Sequence, residues 1–174
     1  MKITNTLAWI ALAAGSLAIT YTYAPSRRVA LIEPSKRVAA PDFALRNSRG
    51  QEVKLSDFKD KMVLLNLWAT WCGPCRIEIP WFVDFEKSYK DRGFEVVGVS
   101  FDEEGFKVVD PYVAEQKMSY TILVGDRKLP LPYSDFEALP TTYLIDPQGR
   151  IAAKHIGLVA KGTYEEEIRE LLKK

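Results

Sequence analysis

The nearly continuous apolar run Lys61-Met62-Val63-Leu64-Leu65-Asn66-Leu67-Trp68 ends just before Trp71-Cys72-Gly73-Pro74-Cys75, and that junction constrains the fold more than anything else in the chain. A run of this length without polar alternation predicts a strand buried on both faces, as in a parallel sheet. Gly73 and Pro74 suit the first turn of a helix, where a missing N–H costs nothing. The chain's two cysteines therefore stand at a strand-to-helix turn, with Cys72 at the helix mouth and Cys75 one turn deeper. At that spacing one thiol can attack and the other resolve, so the pair is predicted to open and close as a disulfide. An inert pair of core cysteines is the bland alternative, and the Gly-Pro between them argues against it.

Length and charge narrow the function. At 174 residues there is room for one domain and a tail. A core of about 130 residues buries roughly two thirds of its unfolded surface, so it needs no structural disulfide and its thiols are left for chemistry. Lys plus Arg (24) nearly balance Asp plus Glu (23), and no basic stripe interleaves with aromatics, so no nucleic-acid partner is expected. His155 is the one histidine; it is read as a satisfied or exposed strand residue, and nothing else suggests a Ser-His-Asp arrangement.

The N-terminus differs from the rest. Residues 7–24 carry no charge, at the lower edge of membrane-spanning length, with Trp9, Tyr21 and Tyr23 near the two ends. Residues 1–24 are read as a membrane anchor, with a signal peptide cleaved near Ser16-Leu17-Ala18 as the alternative. Residues 25–40, with Pro25, Pro34 and four basic residues, read as a linker to a domain spanning 41–174. The basic residues after the anchor oppose the positive-inside rule. An export signal on a dithiol domain nevertheless makes most sense facing the oxidising side, so an extracytoplasmic domain is expected.

Along that domain, residues 43–45 and 51–55 read as a hairpin, 61–68 as a strand, and 73–89 as a helix. A second buried strand is expected at 94–100, a helix at 106–118 despite Pro111, and a short strand at 120–124. Strands at 141–145 and 151–155 flank the turn Asp146-Pro147-Gln148-Gly149. Thr163-Tyr164-Glu165-Glu166 fits a capping box opening the last helix. This order predicts an α/β fold with a mixed sheet.

On the helix after the cysteines, Cys75, Glu78, Phe82, Phe85 and Tyr89 follow steps of three and four and share one face. The aromatics mark that face as inward. Glu78 is then a carboxyl at the buried edge, one turn from Cys75, where desolvation and a nearby thiolate both raise its pKa toward a proton-shuttling value. A glutamate at the rim of the core that reaches solvent or Arg76 fits the geometry equally well.

The chain resembles the thioredoxin superfamily from about Pro41 to Lys174, and within it the membrane-tethered TlpA/ResA group of extracytoplasmic thiol–disulfide oxidoreductases. The resemblance lies in Asn66-Leu67-Trp68-Ala69-Thr70-Trp71-Cys72-Gly73-Pro74-Cys75, in Glu78-Ile79-Pro80, in Leu139-Pro140-Thr141-Thr142-Tyr143-Leu144-Ile145-Asp146, and in the insertion between Ser100 and Gly125. It implies a thioredoxin fold, a central mixed sheet flanked by helices, with an N-terminal hairpin and a central αβ insertion. It implies Cys72 as nucleophile, Cys75 as resolving thiol and Glu78 as proton acceptor in place of the strand acid of thioredoxins, whose position is Asn66 here. It further implies a cis peptide before Pro140, which serves the catalytic site, and substrate contacts through Trp71, Gly73, Pro74, Leu139 and Thr141. Trp68 is read as packing.

The expected activity is reduction of disulfides in exported proteins, such as apocytochrome c or copper-site assembly proteins, with no cofactor beyond the Cys72–Cys75 disulfide and a membrane thiol carrier as electron donor. A disulfide-forming oxidant is the second reading, although that class favours a histidine between its cysteines. A peroxidase is weaker, because Ala69 stands where a thiol-activating threonine is needed. A metal module using the pair plus His155 is the alternative from another class.

Overall fold

The computed structural model describes residues 31–126 and 128–173. The anchor or signal segment 1–24 lies outside them. No helix among the described residues is long and apolar enough to cross a membrane.

The domain opens with a hairpin of β1 (Ala44–Arg46) and β2 (Glu52–Lys54). Its turn is shaped by Asn47, whose Oδ1 accepts the N–H groups of Arg49 and Gln51, each at 3.0 Å. β3 (Met62–Trp68) follows and is buried along its whole length, as the apolar run requires. It feeds α1 (Gly73–Tyr89), then β4 (Phe94–Ser100), α2 (Phe106–Glu115) and β5 (Thr121–Val124). A second hairpin, β6 (Thr141–Ile145) and β7 (Ile151–Ile156), leads to α3 (Lys161–Leu171). The main sheet runs β5-β4-β3-β6-β7; β3, β4 and β5 are parallel, and β6 is antiparallel to both its neighbours. This is the mixed α/β sheet expected, and α2 with β5 form the insertion.

The pleat of β3 sorts the core. Met62, Leu64 and Trp68 face one layer, into which all three helices pack, through Ile79, Phe82, Tyr112, Tyr164 and Ile168 among others. Val63, Leu65 and Leu67 face the other, covered by Phe43 and Leu55 at the N-terminus and by Leu129 and Tyr133 after β5.

Three local readings are corrected. α2 stops at Glu115 rather than 118, because Lys117 turns left-handed (φ 53°), the N–H of Met118 returns to the Val113 carbonyl and that of Lys117 to Ala114. α3 starts at Lys161, two residues before the expected box; Ala160 is its N-cap, and the Thr163 N–H is already taken by the Ala160 carbonyl. Residues 31–40, the described part of the segment read as a linker, lie against the sheet edge: Ile32 N–H donates to Ala152 O at 2.8 Å, and Ala39 bridges Arg150. Arg37 there reaches Asp146 at 3.1 Å. Burial alone raises the Asp146 carboxyl, but hydrogen bonds from Arg150 and Arg37 outweigh it and hold the group below its ordinary value.

Candidate active site

The buried strand β3 delivers the chain to the N-terminus of α1, and the two cysteines meet there. Cys72 is the N-cap of α1 in an extended conformation, Pro74 sits in the first turn, and the Cys72 and Cys75 sulfurs are joined as a disulfide. The Cys72 sulfur also accepts the Cys75 N–H at 3.3 Å. That contact places Cys72 Sγ among the unpaired N–H groups of a helix start, which favour negative charge there once the bond opens. Cys75 is deeper, 1% exposed against 4% for Cys72, while Trp71, Gly73 and Pro74 beside them are open to solvent.

Glu78, one turn after Cys75, is fully buried rather than turned to solvent or to Arg76. Arg76 instead donates to the Thr70 carbonyl. The Glu78 Oε1 accepts from the Tyr164 hydroxyl at 3.1 Å and from the Val159 N–H at 3.3 Å, while Oε2 is buried with no protein partner. Burial is the largest influence on this carboxyl. It outweighs the lowering effects of Val159, Tyr164 and His155, and the pKa is pushed up to about 7. A group with that value can both take and give a proton near neutral pH.

Around the disulfide the strand ends supply the rest. The Leu139–Pro140 peptide is cis, as the resemblance implies. Leu139, half-buried, packs against both core layers and shares with exposed Trp71 the lining of a groove of about 670 Å³. Phe101 and Phe136, edge to face at 4.6 Å between ring centres, also line it, with Glu103, Asp126 and Glu137 among its acidic residues. Thr141 is placed differently from Leu139: its side chain is buried and its hydroxyl donates to the Ala138 carbonyl at 2.7 Å, so it turns inward from the substrate face expected of it. Trp68 is fully buried, its ring centre 5.5 Å from that of Tyr112 and tilted to it, which makes it core. Its indole lies where a Cβ on Gly98 would come within 3.0 Å, so the glycine keeps that space open.

Two sets of residues escaped the sequence reading. Asp102 is buried, accepting from Thr70 N at 2.9 Å, from the Thr70 hydroxyl at 2.6 Å and from Ser100 at 2.7 Å, and so ties the loop before Cys72 to the end of β4. Its one signal was a carboxylate two residues past a strand read as buried. Tyr164 was hidden inside a supposed capping box. His155 is the satisfied strand residue expected: its Nε2 lies 2.7 Å from Glu167 Oε2, and its ring stands edge-on to Tyr164 at 5.3 Å. Among the described residues no cluster of three or more His, Cys, Asp or Glu side chains is placed to hold a metal ion.

Known proteins resemble this chain in sequence and fold. The AhpC/TSA family matches residues 37–154. Thioredoxin-like protein YneN of Bacillus subtilis (strain 168) is 37% identical over 131 residues, 74% of this chain and 76% of that protein. Thiol-disulfide oxidoreductase ResA of the same organism is 33% identical over 129 residues, 74% of this chain and 69% of that protein. Among solved structures, a thiol:disulfide interchange protein DsbE from Chlorobium tepidum superposes with a TM-score of 0.73 at 33% identity, covering 79% of this chain and 97% of its own. With a closed Cys72–Cys75 disulfide at the head of α1 and relatives of this kind, the chain belongs to the AhpC/TSA family of thioredoxin-like proteins and is a thiol–disulfide oxidoreductase.

Proposed function

We propose that this oxidoreductase works as a reductant of disulfides in exported proteins, outside the cytoplasm, with Cys72 as nucleophile. The Cys72 thiolate attacks one sulfur of a substrate disulfide; a mixed disulfide forms and one substrate thiolate leaves. Cys75 then gives its proton to Glu78 and attacks Cys72, and the second substrate thiolate departs. Two electrons pass from the dithiol to the substrate, and the two thiol protons end on the released thiols. A membrane thiol carrier returns the pair to the dithiol form. Apocytochrome c and copper-site assembly proteins are the substrates that the resemblance suggests.

The observation that carries this direction is the buried Glu78 one turn from Cys75. Strong oxidants in this chemistry owe their potential to a stabilised reduced form. An ionised carboxyl in a dry site beside Cys75 does the opposite: it disfavours the thiolate and so favours the disulfide. Gly73-Pro74, without a histidine between the cysteines, supports the same reading. The midpoint potential of residues 31–174 in glutathione or dithiothreitol buffers tests it. A value near the thioredoxin couple, about −270 mV, is expected; one near about −120 mV makes the protein a disulfide donor.

Placement outside the cytoplasm rests on the uncharged run of residues 7–24. A membrane-impermeant thiol reagent is expected to label reduced Cys72 in intact cells, and labelling only after lysis reverses the assignment.

The groove beside Trp71 and Leu139 supplies the substrate contact in this scheme. Trp71→Ala is expected to raise KM for a protein disulfide about tenfold, the equivalent of about 1.4 kcal/mol. Trp71 is 67% exposed, so stability should stay within about 0.5 kcal/mol of the parent. An unchanged KM removes Trp71 from the substrate face.

A further inference from the structure

Behind Glu78 lies a line of buried polar groups that the scheme above does not use. Asn66, on the face of β3 that looks toward the helices, donates its amide to Thr142 Oγ1 at 2.9 Å. With its oxygen occupied in this way, the Thr142 hydroxyl has its hydrogen to give, and it acts on the neighbouring Tyr164 hydroxyl in the sense of a donor, favouring negative charge there. The Tyr164 hydroxyl in turn donates to Glu78 Oε1. Every link runs the same way, from β3 through β6 and α3 to the carboxyl on α1. All four side chains are essentially sealed from solvent, at 0–1% exposure. The Val159 N–H adds a second donor to the same oxygen, while Oε2 has none.

We propose that Asn66, Thr142 and Tyr164 form a one-way chain of hydrogen-bond donors that anchors Glu78 Oε1 and leaves Oε2 as the oxygen that exchanges the proton with Cys75. The proposal rests on the reading of Glu78 as proton acceptor. Tyr164 is then a positioning residue, and Asn66 and Thr142 act through it. The physical reason is directional. A carboxylate needs donors to survive burial, and donors that polarise one another in sequence are stronger than isolated ones. An acid that must also be protonated needs one oxygen kept clear of donors, since a second set would lock it in the ionised form. Two donors on Oε1 and none on Oε2 meet both demands.

Besides Tyr164, the titratable group that acts on this carboxyl is His155 from β7. His155 is held in turn by Glu167 of α3, whose other oxygen is buried without a partner. The edge-on His155 ring holds the Tyr164 ring in place, and its charge, when present, favours ionised Glu78.

Tyr164→Phe removes the last donor and keeps the ring, and Thr142→Val removes the middle link without changing volume. The direct reading is the titration of the Glu78 carboxyl carbon by NMR in the oxidised protein, which requires no turnover. Tyr164→Phe is expected to move the midpoint up by about one pH unit, the scale of one hydrogen bond to a carboxylate. Thr142→Val should move it the same way by less. The pH profile of disulfide reduction should shift with it, and that shift should vanish when Glu78→Gln is already present. A midpoint unmoved in Tyr164→Phe, or in Thr142→Val should Tyr164→Phe not fold, overturns the donor chain. If the midpoint moves but Glu78→Gln leaves the pH profile of the parent intact, the chain stands as an anchor of Glu78. What fails then is the reading of Glu78 as proton acceptor, and Oε2 loses its exchange role with it.

Discussion

Changing Cys75 to serine is expected to stall the reaction halfway, with the substrate held covalently on Cys72. The positions of the two sulfurs dictate the asymmetry. Cys72 is the N-cap of α1 beside exposed Trp71, Gly73 and Pro74, whereas Cys75 is a turn deeper and almost sealed. An incoming disulfide therefore meets Cys72 first, and release depends on a thiolate that serine cannot supply. Incubated with an oxidised protein substrate, Cys75→Ser should accumulate a mixed disulfide that is stable on a non-reducing gel and lost with dithiothreitol. Cys72→Ser should give no adduct, and turnover in both variants should fall to the uncatalysed rate. The reverse pattern, with adducts only in Cys72→Ser, shows that the deeper sulfur attacks.

Glu78→Gln is expected to change how stability depends on pH, as well as slowing exchange. The carboxyl has an ordinary value of 4.5 and is held at about 7 in the fold. Between those values the folded protein binds the proton and the unfolded chain does not, so stability falls as pH rises through that window. Each pH unit is worth 1.36 kcal/mol, and the span corresponds to about 3 kcal/mol. The group costs nothing below its unfolded value and its full penalty above pH 7. Glutamine carries no such linkage. Urea unfolding of the oxidised proteins at several pH values should show the variant gaining about 3 kcal/mol on the parent between pH 4.5 and 8, whatever constant offset its buried amide adds. Parallel curves for the two proteins contradict the burial argument. A variant that loses this pH-dependent penalty yet reduces disulfides more slowly is the outcome expected if a buried charge is kept for the reaction.

Much of this was legible in the amino-acid sequence because it depends on local rules. The apolar run at β3 required burial on both faces, and each face lies in a core layer. The spacing of Cys75, Glu78, Phe82, Phe85 and Tyr89 put them on one helix face, and all five are buried. Cys-Gly-Pro-Cys fixed a thiol at a helix start, since the peptide geometry of a first turn admits proline and offers bare N–H groups. Local rules failed where a longer-range contact competed. A threonine followed by acidic residues looked like a cap, but the start of α3 is set two residues earlier, in a segment where Lys161 meets Asp84 and Tyr164 meets Glu78. Thr141, next to the cis proline, looked available to substrate, yet its hydroxyl is spent on Ala138.

The sequence by itself determined that this is a dithiol at a strand-to-helix turn, with a carboxyl at the edge of the helix's inward face. Only the tertiary structure decided what that carboxyl is. On a helical projection Glu78 is equally a rim residue or a buried acid. The arrival of Tyr164 and Val159 from more than eighty residues away in sequence closes it from water and occupies one oxygen, and leaves the other bare. Desolvation depends on every atom that surrounds a group, and no pattern along the chain contains that information.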